Sequence, residues 1–283
     1  MRDAAAVHLE YGVTHTSSSA MPGHAYRRLP PDDIIVITDL ISGLPYTHYD
    51  SFMSLSNLVT PLTRQTLSRD VYMRLRELLI TGQMMPGEQT SFRTIAAALG
   101  VSVMPVREAV HRLVAEQALE LTPNRALRVP AMSVSQFREI TGIRENLEGY
   151  ATEQAAARLD AAALRNIRSL HERFSAEMGK RKPDAAKLIA LNKELHFTVY
   201  EAAGMPILLQ MIEALWLRIG PILNHDLRSG SRRISEKGAV LHHARLVEAL
   251  ESHDGQKART ALQGDIASAA EYIISAGVLI AAD

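Results

Sequence analysis

Apolar residues recur at helical spacing over residues 66–82, where Val71, Leu75, Leu78 and Leu79 share one face. Gly82 offers a stop and Pro86-Gly87 a turn. A second helix is expected from about Ser91 to Leu99 and a third from about Val103 to Gln117. On the third, Ala109, Val110 and Leu113 point one way while Arg107 and His111 point out. Between the two, Gly100 can take the positive φ that ends a helix. Ser102 can cap the next one, and Pro105 falls in its first turn, where no intrahelical N–H is lost. The period then changes. Leu119, Leu121, Leu127 and Val129 alternate around Pro123-Asn124-Arg125-Ala126, which predicts a β-hairpin. The order is that of a winged helix-turn-helix, with the third helix shaped to lie in a DNA major groove.

Beyond Pro130 and Ser133 the pattern is helical to residue 281, rich in Ala, Leu, Arg and Glu. Breaks near Asp160, Lys182-Pro183-Asp184, Gly204-Met205-Pro206, Gly230 and Asp254-Gly255 divide it into about six helices, an all-α bundle. Residues 1–62 differ from both parts. Turn formers such as Pro22-Gly23, Pro30-Pro31, Ser42-Gly43 and Pro45 are frequent, and only Ile34 to Ile37 suggests a short strand. This extension is expected to be mobile or loosely attached. One explanation for it is that translation starts at Met53. The expected fold class is mainly α, with an extension at 1–62, a winged helix-turn-helix at 63–130 and an all-helical effector-binding and dimerisation domain at 131–283.

Composition changes this picture little. A chain of 283 residues suits two domains, and 47% hydrophobic content supports a core. The absence of cysteine excludes disulfide and zinc–thiolate frameworks and fits a reducing compartment. No apolar run approaches the ~18 residues of a membrane span, and the N-terminus lacks a signal-peptide pattern. A soluble cytoplasmic protein without a membrane partner is expected. The formal net charge is zero but uneven. Residues 63–130 hold nine Arg, six acids and no Lys, whereas residues 131–283 hold nineteen charges of each sign. The net basic segment is the one with the helix-turn-helix pattern, which suits phosphate contact.

Candidate chemistry falls in two places. Arg93 early in the second helix, Arg107 on the third and Arg125 at the hairpin tip are candidate DNA contacts, since arginine reads guanine through two hydrogen bonds or clamps phosphate. Each alone would equally be a solvated surface residue. Ser102 and Asn124 flank them, and Val103 and Met104 can meet thymine methyls or pack on the second helix. In the helical part, Asn192 and His196 are four apart on a helix that carries Leu188, Leu191, Leu195 and Val199. His243 lies at helical offsets from Leu246, Val247 and Leu250 and should point inward, with His242 pointing out. Asp265, three after Leu262 and four before Ala269, also lies on an inward stripe. Buried polar groups need partners. A divalent metal would satisfy all four, and mixed imidazole and oxygen ligands suit Zn, Ni, Mn or Fe. The alternative is that each is a hydrogen-bonded core residue.

Pro86-Gly87-Glu88, the stretch Ala96 to Gly100, the run Ser102-x-x-Pro105-Val106-Arg107-Glu108-Ala109 and the hairpin resemble the DNA-binding domain of the GntR family of bacterial transcription regulators. Val103 stands where that family often has arginine, and Ala126 where its wing often has glycine. Residues 134–281 resemble the FCD effector domain of the FadR subfamily. Arg144-Glu145-x-Leu147-Glu148 is similar to its opening helix, and Asn192-x-x-x-His196 to its Asp/Asn-x-x-x-His ligand pair. His243 with Ala249-Leu250 and Asp254 is similar to the next ligand segment. Many members have a third histidine where this chain has Asp265, whose carboxylate can still ligate a metal. The resemblance implies a metal at the base of an effector pocket, with an effector carboxylate completing its coordination. Arg144, beside Glu148, is the candidate to pair with an anionic effector; its alternative role is an interhelical salt bridge. Trp216, Arg218 and Asn224 are further candidates to line the pocket.

The leading expectation is a ligand-responsive repressor. It binds double-stranded operator DNA as a homodimer, because two half-sites give the selectivity that one winged helix lacks. Two alternatives stand beside it. One is a metal-dependent enzyme built on His196, His243 and Asp265, disfavoured by the absence of a clear general base. The other is a constitutive DNA-binding protein whose bundle only dimerises, which predicts no polar convergence in the core.

Overall fold

The structure, a computed structural model, describes residues 66–228 and 238–280. The extension at 1–62, the strand expected at Ile34 to Ile37, the start at Met53 and the break near Gly230 lie outside the described residues.

Helix α1 (Thr66–Ile80) buries Val71, Leu75 and Leu79 and stops at Gly82, whose φ is 64°. Helix α2 (Phe92–Leu99) starts at Ser91, whose hydroxyl accepts from the Thr94 N–H at 3.1 Å, and ends at Gly100 with φ 65°. Helix α3 (Val103–Ala115) buries Val106, Ala109, Val110 and Leu113 against α1 and α2 and leaves Arg107 and His111 exposed. Ser102 occupies the cap position in an extended conformation, but its hydroxyl makes no capping bond, contrary to expectation. The helix also ends short of Gln117, which takes a φ of 58° and turns the chain into the hairpin.

The hairpin strands are β2 (Glu120–Leu121) and β3 (Leu127–Arg128), with Arg125 at φ 61° in the connecting turn. A third strand, β1 (Gln89–Thr90), pairs antiparallel with β3, so the sheet order is β1-β3-β2. The sequence pattern missed β1 because two residues are too few to show alternation. It forms because the turn at Gly87 brings its N–H to the Val129 carbonyl at 2.9 Å.

The described helical part comprises α4 (Val134–Ala156), α5 (Ala161–Met178), α6 (Ala185–Ala202), α7 (Pro206–Arg228), α8 (Gly238–Glu251) and α9 (Gly255–Ser275). Their starts follow local chemistry. Ser133 and Gln136 form a capping box for α4, Asp160, Asp184 and Asp254 cap α5, α6 and α9, and Pro206 opens α7. Helix α4 packs along α9, α9 along α8, and α5 along α6. The turn between α5 and α6 is pinned by Glu177, 1% exposed, which accepts from Lys180 at 2.7 Å, Lys187 at 2.9 Å and the Asp184 N–H at 3.0 Å.

Helix α7 packs on both parts of the molecule, touching α1 as well as α4 and α6. Its stretch Pro206–Asn224 has a mean hydropathy of 1.4 over 19 residues and is long and apolar enough to cross a membrane. This corrects the expectation that no apolar run reaches that length. From Trp216 to Asn224 it is buried on several sides, whereas Ile207 and Met211 near its start are exposed.

Candidate effector cavity and DNA-binding face

The inward faces of α4, α5, α6, α7, α8 and α9 line a cavity of about 110 Å³. Helical spacing decides which side chains reach it. On α6, Asn192, His196 and Tyr200 recur every fourth residue, and Asn192 and His196 line the cavity. On α8, His243 is 1% exposed, and on α9 Asp265 faces the two histidines. His196 Nε2 lies 3.3 Å from His243 Nε2 and 3.3 Å from Asp265 Oδ2, and His243 Nε2 lies 3.7 Å from the same oxygen. The three ligand atoms all fall within 4.8 Å of one another. Burial disfavours the charged Asp265, but His243 and His196 beside it outweigh that and hold its carboxyl well below the usual range.

Behind this cluster runs a buried chain of hydrogen bonds. Tyr200 donates its hydroxyl proton to Glu148 and stands 2.9 Å from His196 Nδ1. Having spent its one proton, the hydroxyl can only accept from His196. His196 therefore carries hydrogen on Nδ1, and its Nε2 faces His243 and Asp265. Glu148, wholly buried, also takes both ends of Arg144, from Nε at 2.6 Å and from Nη2 at 3.2 Å. Burial works against the charge of Arg144, yet Glu148 outweighs it and raises the guanidinium pKa. Burial, reinforced by Glu148, pushes the Tyr200 phenol well up. Arg144 lies 5.1 Å from the centroid of the Trp216 ring on α7.

The donor set fits a divalent metal: two imidazole nitrogens and one carboxylate oxygen, with Tyr200 holding His196 from its other nitrogen. Among the described residues, two buried side-chain atoms have no hydrogen-bond partner, His243 Nδ1 within this cluster and Trp216 Nε1 in the cavity wall. Six of the nine cavity residues expected from sequence line it: Asn192, His196, Asp265, Arg144, Trp216 and Asn224. His243 joins through the cluster. Glu148 stands behind Arg144 rather than in the wall. Arg144 does pair with a carboxylate, but within its own helix, not between helices.

Arg218 does not line this cavity. It borders a separate groove with Leu119, Leu121, Met132 and Gln136. Two residues past Trp216 on a helix is about 200° of rotation, so Arg218 faces away. His242, expected to point out, is half-buried, with its ring against Gly264. Tyr200 was missed, although its position four after His196 on the same stripe was the available signal.

On the winged helix, Arg93, Ser102, Arg107, Asn124 and Arg125 are exposed, as is Met104 at 61%. Arg107 lies 5.5 Å from the Phe92 ring centroid, and Asn124 accepts from the Thr122 hydroxyl within the hairpin turn. Val103 is half-buried and packs against the core.

Residues 67–129 match the model of bacterial regulatory proteins of the gntR family, and residues 139–268 match the FCD domain. The HTH-type transcriptional regulator McbR of Escherichia coli K12 is 32% identical over 197 residues, 70% of this chain and 88% of that protein. The chain belongs to the GntR family. The HTH-type transcriptional repressor GlaR of Escherichia coli K12, 28% identical over 213 residues, covers 73% of this chain and 90% of its own. The solved structure of E. coli McbR/YncC superposes with a TM-score of 0.70 at 29% identity, over 75% of this chain and 99% of that one. GntR-family relatives with this domain pair are transcription regulators and not enzymes, so the metalloenzyme alternative falls. The GntR winged helix implies DNA binding, and the FCD bundle implies binding of a small molecule.

Proposed function

We propose that this GntR-family regulator is a ligand-responsive repressor of the FadR subfamily that binds operator DNA as a homodimer. Residues 63–130 form the DNA-reading unit. Arg93, Arg107 and Arg125 are its cations, and Ser102, Met104 and Asn124 lie beside them. Residues 131–283 form the effector-binding and dimerisation unit. The repressor reading draws on relatives named as repressors, GlaR among them. The site of action is the cytoplasm, where bacterial operator DNA is found.

One observation carries the effector reading: polar side chains from five helices converge on one cavity in the core. A constitutive protein whose bundle only dimerises would have no use for that convergence, which is costly to bury. His196, His243 and Asp265 would hold Zn, Ni, Mn or Fe, with Asn192 alongside. A bound metal would supply a positive centre for an effector carboxylate. The chain's own residues do the rest. Tyr200 fixes the His196 tautomer, Glu148 fixes Arg144, and Arg144 and the Trp216 N–H offer donors to a small anion.

The test is elemental analysis of the purified protein and of His196→Ala, followed by thermal-shift screening of small carboxylates. Stoichiometric metal that is lost in the variant, with a melting temperature raised by a carboxylate, is the expected result. Absence of metal, with a variant as stable as the wild type, overturns the metal site.

A further inference from the structure

The C-terminal end of an α-helix leaves carbonyl oxygens without intrahelical partners. At the end of α1, two of these are taken by side chains of α7. Asn224 Nδ2 donates to the Ile80 carbonyl at 2.6 Å, and Arg228 Nε donates to the Thr81 carbonyl at 3.0 Å. One turn earlier on α7, Gly220 lies directly on Ile80. A Cβ there would stand 2.7 Å from both the Cα and the carbonyl oxygen of Ile80. The two helices therefore meet backbone to backbone, with no side chain between them to absorb a displacement. Further along, Arg76 pairs with Glu213 at 3.0 Å, and Lys193 of α6 pairs with Glu77.

The same stretch of α7 is a wall of the cavity. Trp216, Leu223, Asn224 and Leu227 line it, so Asn224 belongs both to the cavity and to the cap of α1. Pro221 lies within this stretch. It has no N–H, so the Leu217 carbonyl loses its usual helical partner and α7 is weakened between the Trp216 and Asn224 contacts. A helix that is rigidly joined at one face and weakened beside the ligand is suited to two discrete positions.

We propose that α7 transmits cavity occupancy directly to the end of α1, with Asn224 as the positioning residue. This rests on the reading of the cavity as the effector site. An occupant that presses on Leu223 and Asn224 shifts the cap of α1. Because α1 packs on the recognition helix α3, the shift reaches the DNA-binding surface without passing through the connection at 130–133. The effector then needs unequal affinity for the two α7 positions.

Hydrogen–deuterium exchange on the full chain, read peptide by peptide, tests this with two occupants. Zn²⁺ alone is one. Ala269→Leu, which extends a side chain into the cavity without a metal, is the other. Either occupant is expected to change exchange across residues 76–84 by roughly five-fold or more, the lower end of site-to-site coupling. Gly220→Ala wedges α1 from α7 without touching a cavity-lining side chain and should abolish the change at 76–84 while the changes in α6 and α9 persist. If Gly220→Ala fails to melt cooperatively, Arg228→Ala replaces it and should diminish the change. Unaltered exchange at 76–84 with both occupants overturns the proposal, as does a change that survives in the wedge variant. A response to Ala269→Leu but not to Zn²⁺, with no zinc retained, would remove the metal site and leave the coupling standing.

Discussion

The hydroxyl of Tyr200 lies 2.9 Å from His196 Nδ1 and gives its own proton to Glu148, so it fixes which nitrogen of His196 faces the cluster. A ligating histidine is commonly held in this way by a partner on its other nitrogen. Tyr200→Phe removes that partner and leaves every proposed ligand in place. Metal affinity, measured by competition with a chelator, is expected to fall about 10- to 100-fold. Unchanged affinity would mean that Tyr200 serves only the core.

Arg144 and Glu148 form a buried pair at 2.6 Å, with side chains 5% and 0% exposed. Removing one partner leaves an uncompensated buried charge, so Arg144→Met is expected to cost about 3–5 kcal/mol in denaturant unfolding. The double variant Arg144→Met/Glu148→Met should be more stable than Arg144→Met alone. A single variant as stable as the wild type would show that the carboxylate is solvated or protonated.

The pH dependence of stability should carry a signature from Glu177. Hydrogen bonds from Lys180, from the Asp184 backbone and from Lys187 lower its pKa from the ordinary 4.5 to about 2. A group depressed in the folded state contributes stability that is complete above the unfolded value and is lost as pH falls through the folded one. The loss therefore falls between about pH 4.5 and 2. Melting curves of Glu177→Gln should be flatter than wild type in that window, and equal slopes would assign the acid sensitivity elsewhere.

Arg125 at the hairpin tip and Arg107 on α3 are both exposed. If each neutralises one phosphate, Arg125→Ala and Arg107→Ala should each lower the salt slope of binding to non-specific duplex DNA by about 0.9. A slope equal to wild type for either variant removes that residue from the phosphate contacts.

The one tryptophan of the chain, Trp216, lies 5.7 Å ring to ring from His196. Its fluorescence should therefore be quenched by Co²⁺ or Ni²⁺ at His196, and His196→Ala should abolish the quenching. Equal quenching in both proteins would place the ion elsewhere.

The sequence alone determined the elements and many of their ends. Helices α2, α3 and α4 to α9 follow from apolar spacing and from Gly, Pro, Ser and Asp at the boundaries, because capping and period are local properties of the chain. The same spacing put His196, His243 and Asp265 on inward faces. Tertiary structure alone decided what those faces meet. Tyr200 of α6 met Glu148 of α4 in one buried network. Asn224, a wall residue by expectation, became the cap of a helix 144 positions away in the chain. Period fixes the direction of a side chain relative to its own helix, but a hydrogen-bond partner distant in sequence is fixed only when the helices pack.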